Sequence, residues 1–301
     1  MRIVSLLPSA TEIVCALGAR TELVGRSSEC DHPEDVRSVP VIMRPRTGDE
    51  LRTSREIDAS VATRRSAGES LYRLDVDALR SARPDLILTQ DLCGVCSVTG
   101  DEVAAACREA GIAPRVLSLT PTRLGEVADS VLAVGHAIGR PSESAVLASE
   151  LRPAAASNPL DPPSVAVVEW LDPPILAGLW VADMVVAAGG SSIGPPAGSP
   201  GRRTAWAELA TQRVDWLILA PCSYPVERTA RAIDDERLGP SIAAVHPRRG
   251  TLLVDEAHFS RPGPRLAQGR DLLNALVTGA DPTGLPGVVP WRPSLLASGM
   301  G

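Results

Sequence analysis

The sequence predicts an α/β protein of two lobes with mainly parallel sheets, joined by a helical segment. Short apolar runs of strand length alternate with helical stretches, the pattern of parallel strands and crossover helices. The alternation stops in "RPAAASNPLDPP" (152–163), a proline- and alanine-rich linker, and then restarts. The chain has 301 residues, 44% hydrophobic and 22% charged, enough for two domains or one large one.

The first lobe, residues 1–120, opens with "RIVSLL" (2–7), a buried parallel strand. "PSATEIVCALG" follows as a helix, with Ser9 and Glu12 at capping-box spacing and Gly18 as its stop. "ELVGRS" (22–27) and "VPVIM" (39–43) are the second and third strands. Residues 44–73 are a polar, arginine-rich excursion rather than core. "DVDALRSA" (75–82) is a helix, "PDLILTQ" (84–90) a strand, "DEVAAACREAG" (101–111) a helix starting near Thr99, and "PRVLSL" (114–119) a strand. Residues 121–163 form a helical bridge and linker, with helices over 122–138 and 142–151 interrupted by "GRP" (139–141).

The second lobe covers residues 164–280. "SVAVVEW" (164–170) is a strand, "WVADMVVAAGG" (180–190) a helix, "SSIGPPAGSPG" (191–201) a flexible loop and "RTAWAELATQ" (203–212) a helix. "VDWLILA" (214–220) and "GTLLVDE" (250–256) are strands, and "RLAQGRDLLNALVTG" (265–279) is the closing helix. Residues 281–301 form an irregular tail.

Charge and composition exclude several functions. The net charge of −6 argues against a nucleic-acid-binding surface. All thirty basic residues are arginine, which excludes a lysine Schiff base and a P-loop lysine. "AAGGSSIGPPAG" lacks GxGxxG and follows a helix rather than a strand, so it is not a nucleotide-binding turn. There is no Ser–His–Asp elbow and no HExxH. "MRIVSLLPSATEIV" lacks the apolar length and cleavage site of a signal peptide, and no apolar run has membrane-spanning length. The sequence therefore predicts a cytoplasmic protein whose six cysteines are mostly reduced.

In open parallel sheets, ligands sit beyond the carboxyl ends of the strands. Chemistry-bearing residues collect there in this sequence. Ser9 and Thr11 follow the first strand, Cys30 and His32 follow the second in "ECDHP", and Cys93 and Cys96 follow "LILTQ". Trp170 ends "VAVVEW", and Trp180 lies beyond the "LDPP" turn. Cys222 and Tyr224 follow "WLILAP", His258 and Phe259 follow "TLLVDE", and Arg261 and Arg265 come next in "HFSRPGPRL". If the lobes face each other across a cleft, these loops line it. Cys15 and Cys107 fall inside helices, where small thiols are normal packing.

"RIVSLLPSATEIVCALG", "ECDHP", "LILTQDLCGVC", "VEWLDPP", "AAGG" and "FSRPGPRL", in that order across residues 2–278, resemble the cobalamin-binding solute-binding proteins of ABC transporters. They resemble most a cysteine-containing subgroup of that superfamily. The resemblance implies two Rossmann-like lobes bridged by one helix, and a corrinoid, haem or metal-chelate ligand held between the lobes. The sequence departs from that pattern twice. It lacks an export signal, so an ABC permease is not an expected partner. Pro153 should also end the bridging helix after roughly a dozen residues, ~18 Å at 1.5 Å per residue.

Two functions stay open on these residues. In the first, the protein binds a small organic, corrinoid-like or metal-chelate ligand. Ser9, Thr11, Trp170, Trp180, Tyr224, His258, Phe259, Arg261 and Arg265 would contact it. Aromatic walls suit a flat or apolar ligand, and a fixed guanidinium suits a carboxylate or phosphate. In the second, the protein is a thiol-dependent enzyme or sulfur carrier. Cys30, Cys93, Cys96 and Cys222 would supply a nucleophile, a relay or ligands for a thiolate-bound metal such as zinc. His32 would act as base and stabilise the Cys30 thiolate. Each residue also has a plain reading: the thiols and rings as packing, His32 as a solvated turn residue, and the arginines as surface. Trp206 and Trp216, within a helix and a strand, fit packing better.

Overall fold

The computed structural model describes residues 1–46, 53–90, 98–152 and 160–293. The chain forms two compact units. One comprises Met1–Arg52, Glu56–Arg152 and Arg261–Pro264; the other comprises Thr53–Arg55, Pro153–Ser260 and Arg265–Gly301.

The first unit holds strands β1 (Ile3–Ser5), β2 (Leu23–Ser27), β3 (Val41–Pro45), β4 (Tyr72–Leu74), β5 (Leu86–Thr89) and β6 (Arg115–Ser118) in the order β4-β3-β2-β1-β5-β6. Every neighbouring pair is parallel except β3 with β4. All residues of β1 and β5 are buried, as expected of central strands covered on both faces. Gly25 on β2 has a packing reason: a Cβ there would lie 2.4 Å from Ile42 Cγ1 on β3. Val4, Leu6, Ile42, Met43, Leu79, Ile87 and Val103 form the core.

Helices α1 (Pro8–Ala16), α2 (Ser54–Ser66), α3 (Val76–Ala82), α4 (Gly100–Ala110), α5 (Leu124–Ala137) and α6 (Pro141–Leu151) follow in chain order. α4 starts after Thr99, as the sequence suggests, where a Thr99–Glu102 capping box closes its first turn, and Gly18 follows α1 at positive φ as expected of its stop. The expected Ser9–Glu12 box is corrected. Leu7 occupies the cap position of α1 without a side-chain bond and Pro8 sets the first turn, so Ser9 and Glu12 do not cap the helix. Residues 44–73 also hold more structure than expected, namely α2 and β4. Helices α5 and α6 pack closely: a Cβ on Gly135 would lie 2.1 Å from that of Ser144. Both belong to the first unit, and residues 153–159 lie outside the described residues.

The second unit holds β7 (Ser164–Leu171), β8 (Pro174–Leu176), β9 (Ser191–Ile193), β10 (Arg202–Arg203), β11 (Trp216–Leu219), β12 (Gly250–Val254) and β13 (Val288–Trp291). The order is β10-β8-β7-β11-β12-β13, with β9 also on β7. β7, β9, β11 and β12 are mutually parallel; β8 and β13 run antiparallel to their neighbours. Helices α7 (Val181–Ala187), α8 (Trp206–Leu209), α9 (Val226–Asp235), α10 (Gly239–Ala243) and α11 (Leu266–Thr278) complete the unit. Two expectations are corrected here. The loop at 191–201 begins as strand β9, and the tail at 281–301 contains β13, whose Pro290 is tolerated because the strand is an edge. Among the described residues, no helix is long and apolar enough to cross a membrane.

Candidate functional site

The carboxyl ends of β1 and β2 carry a buried polar network in the first unit. α1 begins three residues after β1, which sets Thr11 beside the strand's end. The Thr11 hydroxyl lies 2.8 Å from Ser5 Oγ and 3.0 Å from Cys30 Sγ, and Ser5 in turn donates to the Leu7 carbonyl. The loop that delivers Cys30 is shaped by Arg26. Its buried guanidinium donates to the carbonyls of Ser27, Ser28, Cys30, Arg37 and Val39. Burial pushes the Cys30 thiol up to about 11; the Thr11 bond and the charges of Arg26 and Arg261 pull it down by less. Cys30 therefore rests as a thiol at neutral pH. His32, two residues on, is exposed, so the expected imidazole-assisted thiolate does not form here.

Arg261 anchors a second cluster in the same unit, close enough for its charge to act on Cys30. Its fork donates to Asp31 through both terminal nitrogens, at 2.5 and 3.2 Å, and one of them also reaches Glu12 Oε1 at 3.2 Å. The side chains grade outward: Glu12 is 2% exposed, Arg261 12% and Asp31 41%. Close packing allows this. A Cβ on Gly263 would lie 3.3 Å from the Ser9 carbonyl oxygen, so the Arg261–Pro264 segment lies against the start of α1 and Ser9 is buried. The sequence offered Arg261 to a ligand's anion, whereas the structure gives it two carboxylates of its own chain.

The second unit presents rings at the corresponding ends. Trp170, at the end of β7, is half-buried and donates Nε1 to the Ser54 carbonyl at 3.2 Å. It meets Tyr224 edge to face, with centroids 5.5 Å apart at 63°. The Arg228 guanidinium sits 3.9 Å from the Tyr224 ring centre. Tyr224 is buried, and its hydroxyl makes no well-formed hydrogen bond among the described residues. Ser54 donates its amide to Glu236 at 2.8 Å and its hydroxyl to the same carboxylate, while Arg55 pairs with Asp172 at 2.9 Å. Cys222 is half-buried, with Sγ 3.4 Å from Ser260 Oγ.

Trp180 and Phe259 are core residues rather than exposed walls. Both are buried, and Trp180 Nε1 donates to the Phe259 carbonyl at 2.7 Å. His258 is buried, with Nδ1 donating to the Asp255 carbonyl at 3.0 Å, and burial holds its pKa below the usual value. Arg265 lies 3.8 Å from Asp255. Trp206 packs in the core of this unit, as its position in a helix suggests.

Cys30 and Cys222 belong to different units, and Cys93 and Cys96 lie outside the described residues. Among the described residues, no group of three or more His, Cys, Asp or Glu is placed to hold a metal. Sequence reasoning missed Arg26, Ser54, Arg228 and Glu236. Nothing in the sequence marks the last three, whereas an arginine inside the strand "ELVGRS" is a signal for a buried polar anchor.

No protein-family profile matches the chain, and no curated protein matches it. Solved structures do. A periplasmic heme binding protein from Pseudomonas aeruginosa superposes with a TM-score of 0.66 at 18% identity, covering 97% of this chain and 98% of that one. A periplasmic vitamin B12 binding protein of Vibrio cholerae gives 0.62 at 17% identity, covering 92% and 96%. A protein of an ABC-type Fe3+-hydroxamate transport system from Saccharomonospora viridis gives 0.60 at 17% identity, covering 93% of each chain. Likeness at such identities is likeness of fold. The chain has, from end to end, the α/β fold of these solute-binding proteins, with two sheets of mostly parallel strands.

Proposed function

We propose that this protein is a solute-binding protein for a small organic ligand of the corrinoid-like or metal-chelate class, held by the strand-end loops. The observation that carries the reading is the fold likeness over 97% of the chain to a protein named for heme binding, together with neighbours named for vitamin B12 and Fe3+-hydroxamate. The residues support it. A binding site of this kind needs apolar surface with a few fixed polar groups. Trp170 offers a half-buried ring whose tilt is set by Tyr224 and by its bond to Ser54. Thr11, Cys30 and Arg261 are held in fixed positions by hydrogen bonds. Thiol catalysis gains nothing from Cys30, which is buried and protonated.

Titration of the purified protein with an uncharged corrinoid, haem and a ferric hydroxamate, followed by tryptophan fluorescence, tests the reading. One of them is expected to bind saturably at one per chain, and Trp170→Ala to weaken that binding at least tenfold. Absence of saturable binding to all three would overturn it.

A further inference from the structure

We propose that Asp31 sets the charge preference of the site by occupying the fork of Arg261 in place of a ligand carboxylate. The inference rests on the solute-binding reading and deepens it to a ligand class. Arg261 is the guanidinium that the strand-end loops of the first unit could offer to an anion. The other nearby, Arg26, is spent on five backbone carbonyls. Two parallel N–H···O bonds to one carboxylate are the geometry by which arginine recognises a carboxylate ligand, and Asp31 already supplies it at 2.5 and 3.2 Å. Glu12 holds the guanidinium from beneath at 3.2 Å and is almost wholly buried, which fixes where the fork points.

The gradient of exposure makes Asp31 the outer member. At 41% exposed it lies between solvent and a guanidinium that is 12% exposed. An arriving carboxylate finds the fork filled and meets the negative charge of Asp31 at the outer edge. A ligand whose polar groups are amides or hydroxyls meets no such penalty. The class selected is an uncharged or cationic chelate, and a dicarboxylate chelate is disfavoured.

The test compares iron protoporphyrin, which bears two carboxylates, with its dimethyl ester, which has the same ring and none. Wild type is expected to bind the ester at least tenfold more tightly. Asp31→Ala should reverse that preference, and Asp31→Ala combined with Arg261→Gln should lose the gain. A second measurement needs no chelate. Acetate should raise the melting temperature of Asp31→Ala, by filling the emptied fork, and leave wild type and the double variant unmoved. Asp31→Asn, nearly the same size, serves if the alanine variant folds poorly; it should abolish the preference for the ester.

Equal or tighter binding of the diacid by wild type overturns the inference and leaves the solute-binding reading standing. So does a melting temperature of Asp31→Ala that acetate does not move. If wild type binds only the uncharged corrinoid or the ferric hydroxamate, the acetate measurement decides alone. If it binds no porphyrin, no corrinoid and no ferric hydroxamate, the solute-binding reading falls and takes this one with it.

Discussion

The two units finish their strands in opposite materials. At the ends of β1 and β2 stand hydroxyls and a thiol in one hydrogen-bonded set and a guanidinium with two carboxylates in another, mostly buried. At the ends of β7, β11 and β12 stand Trp170, Tyr224 and Phe259, with polar atoms mostly at their margins. The difference teaches how each end is stabilised. A buried polar network is worth little net and costs heavily when one member is lost, because its partner is left desolvated. A ring contributes by the area it removes from water, so it tolerates loss of its polar tip better than loss of its body.

The largest expected effect follows from the first half of that contrast. Arg261→Met keeps much of the side chain's volume but leaves Glu12, only 2% exposed, without its guanidinium. Stability should fall by about 3–5 kcal/mol, read as a lower urea midpoint at unchanged slope. The next effect comes from the second half. Trp180→Phe keeps an aromatic body, removes the indole N–H that donates to the Phe259 carbonyl and leaves a small cavity where the second ring was. The loss should be about 1–3 kcal/mol in the same measurement. If Trp180→Phe proved the costlier of the two, the contrast between the units would be wrong.

Much of the fold was legible because it is written in local pattern. β1, β5, β7 and β11 are short apolar runs, and a strand buried on both faces has no other composition open to it. The stretches that escaped lack that signature. α9 is "VERTARAIDD", a helix with only Thr229 and Ile233 buried, so charge hides its single apolar stripe. β13 contains a proline and pairs only on one side, and reads as tail. The site was legible by position and not by partnership. Thr11, Cys30, Trp170 and Tyr224 all fall where strand order places them. That Arg261 would close on Glu12, 249 residues away, is a fact of tertiary folding that no local spacing encodes. For the same reason the capping-box spacing of Ser9 and Glu12 misled: the carboxylate turns to Arg261 rather than back to the start of its own helix.

The smallest effect, bound to conditions, separates the units by titration. In the second unit, His258 is buried between the Asp255 carbonyl and the charges of Asp255 and Arg265, and its folded pKa lies below the usual 6.5. As pH falls below 6.5 the unfolded chain takes up the proton first. The stability contributed by the neutral ring is full above that value and is lost as pH falls through the lowered folded pKa. In the first unit the sign reverses. The thiols of Cys30 and Cys15 are raised from 9.0 to about 11, mainly by burial. Their contribution is full below pH 9.0 and drains away as pH rises toward 11, because the unfolded thiols ionise first. Two windows serve: pH 6.5 down to 5, above the range of ordinary carboxylates, and pH 9 up to 10, below the buried Tyr224 phenol, which is itself raised; the Cys107 thiol, also raised by burial, shares the second window. Across them, His258→Asn should flatten the acid slope of the urea midpoint and leave the alkaline slope intact. Cys15→Ala with Cys30→Ser should leave the acid slope intact and reduce the alkaline one, the remainder belonging to Cys107. A variant that flattened both slopes would show that the two ends do not titrate independently.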